Sequence, residues 1–329
     1  MTTNPDWIWQ DGQFVPWQDA TVHVMCHALH YGSSVFEGIR TYSTPNGPAI
    51  FRLGDHLNRL FDSCKMYRME CPFTYDEINA ACCDVISKNE FQSAYIRPLI
   101  YRDAAGLSLS PSAEHPIGAS VMAFEWAPLL GTEAIENGCD VCISSWTRLN
   151  SATNPVLSKA GGHYLSSQLI AMEAKANGFD EGIAVNESGS LTEGAGANVF
   201  VLHKGKLMTP GLGISILEGI TRDTVFHLAK YLGMDLIEAD IPRELLYCAD
   251  ELFMCGTAAE VTPIRSLDRI QIGDGKPGPF TRALQQQFYR VVSGELQLGQ
   301  NWLTHVNPSS NGKIDGAAKL ATESLHVQK

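Results

Sequence analysis

At 329 residues the chain is long enough for about two domains and for a buried core without disulfide or metal staples. Its 44% hydrophobic and 18% charged residues exclude a disordered chain. With 24 Lys+Arg against 36 Asp+Glu, the net charge of −12 argues against nucleic acid or an anionic membrane surface as a partner. No apolar run reaches the roughly 20 residues of a membrane span. The start, MTTNPDWIWQDGQ, lacks the basic residues and apolar core of a signal peptide, so a cytoplasmic location is expected. The nine cysteines are odd in number, with Cys82 beside Cys83, and are expected to be mostly buried, reduced thiols.

Residues 7–17 read as a hairpin turning at Asp11-Gly12. Asp55 is expected to cap a helix that places Leu57, Leu60, Phe61, Cys64 and Tyr67 on one face. Thr74 and Glu77 form a capping-box pattern ahead of Ile78, Ala81, Cys82 and Val85. Strands are predicted at 94–101 and 118–126, Pro98 counting against an interior position for the first. The aperiodic stretch 127–138 reads as a linker between an N-terminal domain, 1–126, and a C-terminal domain, 139–307. In the latter a strand is predicted at 140–146 and a helix from Gly162 to Asn177, stopped by Gly178. Strands at 182–186 and 197–202, a Lys204-Gly205 turn and a helix over 221–232 follow. Strand 251–255 runs into a Gly-Thr turn at 256–257, and the last helix covers 279–293. The small, polar residues 308–329 read as a flexible tail.

The sequence holds no G-x-S-x-G, H-E-x-x-H or G-x-x-x-x-G-K-[ST] motif, and Gly211-Leu212-Gly213 lacks the third glycine of a dinucleotide loop. His23, His27 and His30 have a metal-like spacing but no acidic neighbours, and are read as structural. Lys159, in SKAGGHYLSS, stands among small uncharged residues before a helix, where an amine can be partly desolvated and serve as a nucleophile. Glu193, in LTEGAGANVF, sits among small residues ahead of a strand. Gly219-Ile220-Thr221 opens an amphipathic helix whose free N–H groups and dipole can hold a phosphate. Reactive amine, buried acid and phosphate cup are what pyridoxal phosphate requires. Each segment also has a local reading: a tight turn at Gly161-Gly162, a solvated Glu193, an ordinary helix start at Thr221.

Beyond these, HALHYGSSVFEGIR (27–40), RLFDSCKMYRM (59–69), AYIRPLIYR (94–102), SKAGGHYLSSQL (158–169), DEGIAVNESGSLTEGAGANVF (180–200), ILEGITRDTV (216–225) and ELFMCGTAAEVTPI (251–264) stand in one order. In these segments the chain resembles the branched-chain amino-acid aminotransferases, class IV aminotransferases of fold type IV, over roughly residues 5–307. The resemblance implies a mixed α/β and α+β fold: a small N-terminal α/β domain and a larger C-terminal domain with a β-barrel-like core. It implies pyridoxal 5′-phosphate as cofactor, a homodimer open to a higher assembly of dimers, and transamination between leucine, isoleucine or valine and 2-oxoglutarate.

By the same resemblance Lys159 would carry the cofactor, Glu193 would meet its pyridine nitrogen and Tyr164 its ring hydroxyl oxygen. Arg59, Thr257 and the N–H groups of Ile220 and Thr221 would hold the phosphate, with Leu217 against the ring. Substrate would meet Phe36, Gly38, Tyr95, Arg97, Trp126, Leu129, Thr257 and Ala258, with Tyr31 and Leu109 supplied by a partner subunit. Leu129, where bacterial members often carry tyrosine, and Ser108-Leu109, in place of a Gly-Val pair, leave the substrate range open. D-amino-acid aminotransferases, (R)-amine transaminases and aminodeoxychorismate lyases share the lysine and glutamate, but the YIRPL segment argues against them. A silent cofactor-binding protein is the alternative outside enzymes.

Overall fold

The computed structural model describes residues 4–127, 129–298 and 301–306. The stretch 308–329, read as a tail, lies outside the described residues.

The chain builds two sheets. The first runs in the order Leu303–His305, Gly47–Phe51, Ile39–Thr44, Ala94–Arg102, Ile117–Phe124, Trp7–Gln10, Gln13–Pro16, and Ser34–Phe36 also pairs with Ala94–Arg102. Its first hairpin turns at Asp11 and Gly12, both at positive φ (46° and 90°), which matches the right-handed twist of the strands on either side. Pro98 does lie in an interior strand. Its carbonyl accepts from the Glu37 N–H at 3.0 Å, in the gap where one partner strand ends at Phe36 and the next begins at Ile39. The missing N–H of Pro98 faces that gap, so the ladder loses nothing.

Helices Leu53–Met66 and Tyr75–Lys88 cover one face of this sheet. Leu57, Leu60 and Cys64 meet Ile78, Cys82 and Val85 over Ile39, Ile96 and Val121. The capping box forms: Thr74 Oγ1 accepts from the Glu77 N–H and the Glu77 carboxylate accepts from the Thr74 N–H. Asp55 is not the cap expected from sequence. The helix starts three residues earlier than that cap implies, with Arg52 at its N-cap in the left-handed region (φ 54°), and Asp55 sits in the first turn paired to Arg52.

The second sheet closes on itself. Strands Leu191–Gly194, Glu181–Val185, Cys139–Ile143, Glu260–Leu267, Glu251–Gly256 and Asn198–His203 pair in that order, and the pairing Glu193↔Asn198 joins the last to the first. This six-strand ring is the barrel-like core expected. Alternation sends Val141, Ile183, Leu191, Val199, Val201, Leu252, Met254 and Ile264 to one face. Phe200, Phe253 and Val261 go to the other, beneath helices Ile220–Tyr231 and Pro279–Val292.

Two features depart from the sequence reading, and a third was not singled out in it. The stretch 127–138, read as a linker, contains a short helix, Gly131–Asn137. Strand Leu303–His305, grouped with the C-terminal half, returns to the first sheet beside Gly47–Phe51, because Trp302 and Val306 on either side of it are buried there. Finally, Cys139 and Cys142 have the spacing of a redox pair, but on a strand residues i and i+3 face opposite ways, and both are free thiols. Among the described residues no helix is long and apolar enough to cross a membrane.

Candidate active site

A cleft of about 670 Å³ opens where the two sheets meet. Strands Ser34–Phe36, Ala94–Arg102 and Ile117–Phe124 supply one side, and the barrel mouth and the start of helix Ile220–Tyr231 the other. Lys159 enters from the segment before helix Tyr164–Ala176, with its backbone stitched to the first sheet. Its N–H donates to Ser63 Oγ (3.0 Å) and its carbonyl accepts from the Phe36 N–H (3.0 Å). The ammonium donates to the Tyr164 hydroxyl at 2.5 Å and lies 5.1 Å from the ring centres of Phe36 and Tyr164. Lys159 is therefore fixed at both ends and flanked by aromatic faces.

Glu193, only 4% exposed, is not ahead of a strand but on one, in the tight hairpin with Asn198. One oxygen receives Arg148 Nη2 at 2.6 Å; the other accepts from Asn198 Nδ2 (3.1 Å) and the Leu217 N–H (3.0 Å). Three donors thus hold the carboxylate in one orientation, as a buried charge demands. Sequence reasoning missed Arg148 and Asn198. Asn198 carried a legible signal, since it follows Glu193 across a Gly-Ala-Gly turn; Arg148, in an irregular stretch 45 residues upstream, carried none.

Next to Asn198 the cleft is bounded by the start of helix Ile220–Tyr231, entered through Gly219 with no side-chain cap among the described residues. Gly219 is required by close approach: a Cβ there would fall 1.9 Å from Asn198 Oδ1. Arg59 points to this helix start. Its Nη1 donates to the Glu218 carbonyl (2.6 Å), while Nε and Nη2 form a two-pronged pair with Glu37 (2.7 and 2.8 Å). Glu37 is fully buried and also receives His56 Nδ1 at 2.7 Å, which puts the imidazole proton on Nδ1. Burial alone would raise the Glu37 carboxyl, but the Arg59 charge and the His56 contact outweigh it and hold it well below the usual carboxylate range. Burial, with Arg59 and Lys159 nearby, pushes the His56 imidazolium down against the pull of Glu37. Neither Glu37 nor His56 was singled out from sequence, since a buried acid inside FEGIR reads like any other strand-end residue.

Arg59, Lys159, Tyr164, Glu193, Leu217, Ile220, Thr221 and Thr257 all line the one cleft. So do Phe36, Gly38, Tyr95, Arg97, Trp126, Leu129 and Ala258. Tyr95 and Trp126 meet edge to face at 4.6 Å, and the Arg97 guanidinium lies 4.6 Å over Phe36, its Nε buried without a partner among the described residues. A Cβ at Gly38 would fall 1.7 Å from the Tyr95 hydroxyl, so only glycine admits that ring. The Leu129 N–H donates to the Ala258 carbonyl (2.9 Å), tying this wall to the 257–258 turn. Tyr31 and Leu109 are not in this chain's own cleft; they are 46% and 82% exposed. His23, His27 and His30 do not converge: their ring nitrogens meet the Met25 N–H, Ser33 and Ser108, and the Val24 carbonyl respectively.

The donor set fits pyridoxal phosphate. The cleft lining offers a guanidinium, a hydroxyl and first-turn helix N–H groups for a phosphate, an amine beside a phenol, and an oriented carboxylate.

Residues 34–267 match the family Amino-transferase class IV. The chain is 49% identical over 308 residues to the branched-chain-amino-acid aminotransferase of Escherichia coli (strain K12), covering 93% of this chain and all of that protein. The crystal structure of the E. coli enzyme superposes with a TM-score of 0.91 at 49% identity, over 92% of this chain and 100% of that one. The branched-chain amino acid aminotransferase from Thermobaculum terrenum, solved in its PLP-bound holo form, gives a TM-score of 0.86 at 39% identity, over 92% of this chain and 99% of that one.

The Glu37 cluster sets a pH signature. A carboxyl depressed in the folded state contributes stability that is complete above its unfolded value, about 4.3, and is lost as pH falls toward the folded one. Glu37→Gln should cost about 3 kcal/mol near neutrality, because Arg59 is left unmatched. Urea unfolding of the cofactor-free proteins should show that gap narrowing by about 1 kcal/mol between pH 7 and pH 3.5. A gap independent of pH would mean that folding leaves the Glu37 carboxyl unshifted, and a gap that widens toward pH 3.5 that Glu37 is protonated in the fold.

Proposed function

The chain belongs to the class IV aminotransferases, and on that premise we propose that it moves the amino group of leucine, isoleucine or valine to 2-oxoglutarate, using pyridoxal 5′-phosphate. The observation that carries this reading is the convergence, in one cleft, of the Lys159 amine 2.5 Å from a phenol with a carboxylate held by three donors. When bound, the cofactor supplies a ring that accepts the electron pair left as the substrate α-proton departs.

The residues divide the remaining work. Lys159 Nζ removes the α-proton and returns it on the other side of the exchange. Tyr164, at hydrogen-bond distance from that amine, orients it and would face the ring hydroxyl oxygen of the bound cofactor. Glu193, aligned by Arg148, Asn198 and the Leu217 N–H, holds the proton on the pyridine nitrogen. Arg59, Thr257 and the N–H groups of Ile220 and Thr221 anchor the phosphate, and Leu217 packs on the ring. The 257–258 turn, with Gly38 and Tyr95, receives the α-carboxylate, while Phe36, Trp126 and Leu129 form the apolar side-chain wall. The first sheet and the barrel, in this reading, are the small and large domains, meeting near residues 127–138.

L-Leucine, L-isoleucine and L-valine with 2-oxoglutarate should give glutamate, D-alanine and (R)-1-phenylethylamine should give little, and Lys159→Ala should give none. Glutamate formation from D-alanine alone would overturn the substrate assignment, and full activity in Lys159→Ala the assignment of the base.

A single pocket must take both an aliphatic side chain and a carboxylate. Arg97, stacked on Phe36 with a buried Nε that has no partner among the described residues, supports that double use. Leucine has nothing for it to bind, whereas the distal carboxylate of glutamate does. In stopped-flow half-reactions Arg97→Met should lose about tenfold to a hundredfold with glutamate and 2-oxoglutarate and little with leucine. Equal losses would make Arg97 a support of the fold.

Tyr31 and Leu109 stand exposed outside this chain's cleft, which supports a homodimer in which each completes the partner's side-chain pocket. Light scattering at assay concentration should find a dimer, and an active monomer would refute the shared site.

A further inference from the structure

Helix Leu53–Met66 opens on a residue to which the chemistry above gives no role. Arg52 is 8% exposed and holds a left-handed backbone (φ 54°), uncommon for a side chain of its size, so its surroundings must fix it. Its N–H donates to the Trp302 carbonyl (2.6 Å) and its guanidinium lies 5.0 Å over the Trp302 ring. Nε donates to Asp55 (2.6 Å). Nη1 crosses to the helix that opens on the phosphate end, donating to the Ile220 carbonyl (3.1 Å), Asp223 Oδ2 (2.6 Å) and Thr224 Oγ1 (3.1 Å). Three contacts on the opening turns of one helix set its angle, and with it the aim of the Ile220 and Thr221 N–H groups. They also answer a charge problem, for the Asp223 carboxylate stands in the first turn of a helix that must accept a phosphate dianion.

We infer that Arg52 is a positioning residue for the cofactor phosphate: it orients the start of helix Ile220–Tyr231 and neutralises Asp223 there, without touching the phosphate itself. The inference rests on the cofactor reading above and makes a narrower claim, that phosphate preference depends on a pair of charges outside the cleft lining.

The test compares equilibrium binding of pyridoxal 5′-phosphate and of pyridoxal, which lacks the phosphate, by fluorescence titration of the cofactor-free protein. The wild type should favour the phosphorylated form strongly; a wild type without that preference would overturn the cofactor reading and this inference with it. Arg52→Gln should shrink the preference by about tenfold with pyridoxal affinity nearly unchanged, and adding Asp223→Asn to it should restore much of the loss. Equal weakening of both ligands, or no effect of the second substitution, would reduce Arg52 to a support of the fold. Asp223→Asn alone, at a half-exposed position, folds independently of how Arg52→Gln behaves. It should raise the preference severalfold, and an unchanged or lower preference would overturn the inference.

Discussion

A guanidinium drawn into a protein interior must find its counter-charge there, because an unmatched buried ion costs several kcal/mol. Helix Leu53–Met66 draws in two, Arg52 and Arg59, two turns apart on one face. Arg59 meets Glu37, beside the first sheet, and the Glu218 carbonyl in the second half of the chain; Arg52 meets Asp55 beside it and Asp223 on helix Ile220–Tyr231. Each bridges the two halves, so the helix that closes the first core also fixes where the barrel stands. The cleft lies between the two halves that these arginines join.

The same logic governs the opposite wall. The strand Glu260–Leu267 begins at Glu260, buried and at positive φ (52°), immediately after the 257–258 turn. Its carboxylate receives Arg40 (3.4 Å) and the hydroxyls of Tyr42 (3.0 Å) and Tyr289 (2.9 Å), from a strand of the first sheet and from helix Pro279–Val292. Burial, and then the Glu260 charge, pushes both phenols well up, so they remain donors throughout the physiological range. A strained turn residue is tolerable when its surroundings over-determine it, and here three donors do so one turn away from the groups assigned to the substrate α-carboxylate.

Close approach matters as much as charge. Gly38 admits the Tyr95 ring and Gly219 admits the Asn198 amide, each at a separation that a single methyl group would close. The catalytic surface is thus assembled where backbone from one element meets side chains of another, and the residues with no side chain are as specific there as those with one.

Sequence by itself determined the local elements whose signals are local. The Asp11-Gly12 hairpin, the Thr74–Glu77 capping box, the Gly178 helix stop and the periodic faces of the long helices were all legible, since turn geometry and amphipathic spacing act over a few residues. The lysine, acid and helix start of the site were legible too, because small residues around a charge mark a buried place. Tertiary structure alone decided the rest. Strands of three or four residues such as Leu191–Gly194 and Leu303–His305 are too short to carry a period, and form because a neighbour offers a register. Arg148, Glu37, His56 and Arg52 acquire roles through partners distant in the chain, Glu193 for the first, each other for the next two and Asp223 for the last. Pairing of buried charges depends on which groups the fold brings together, and no spacing along the chain encodes that.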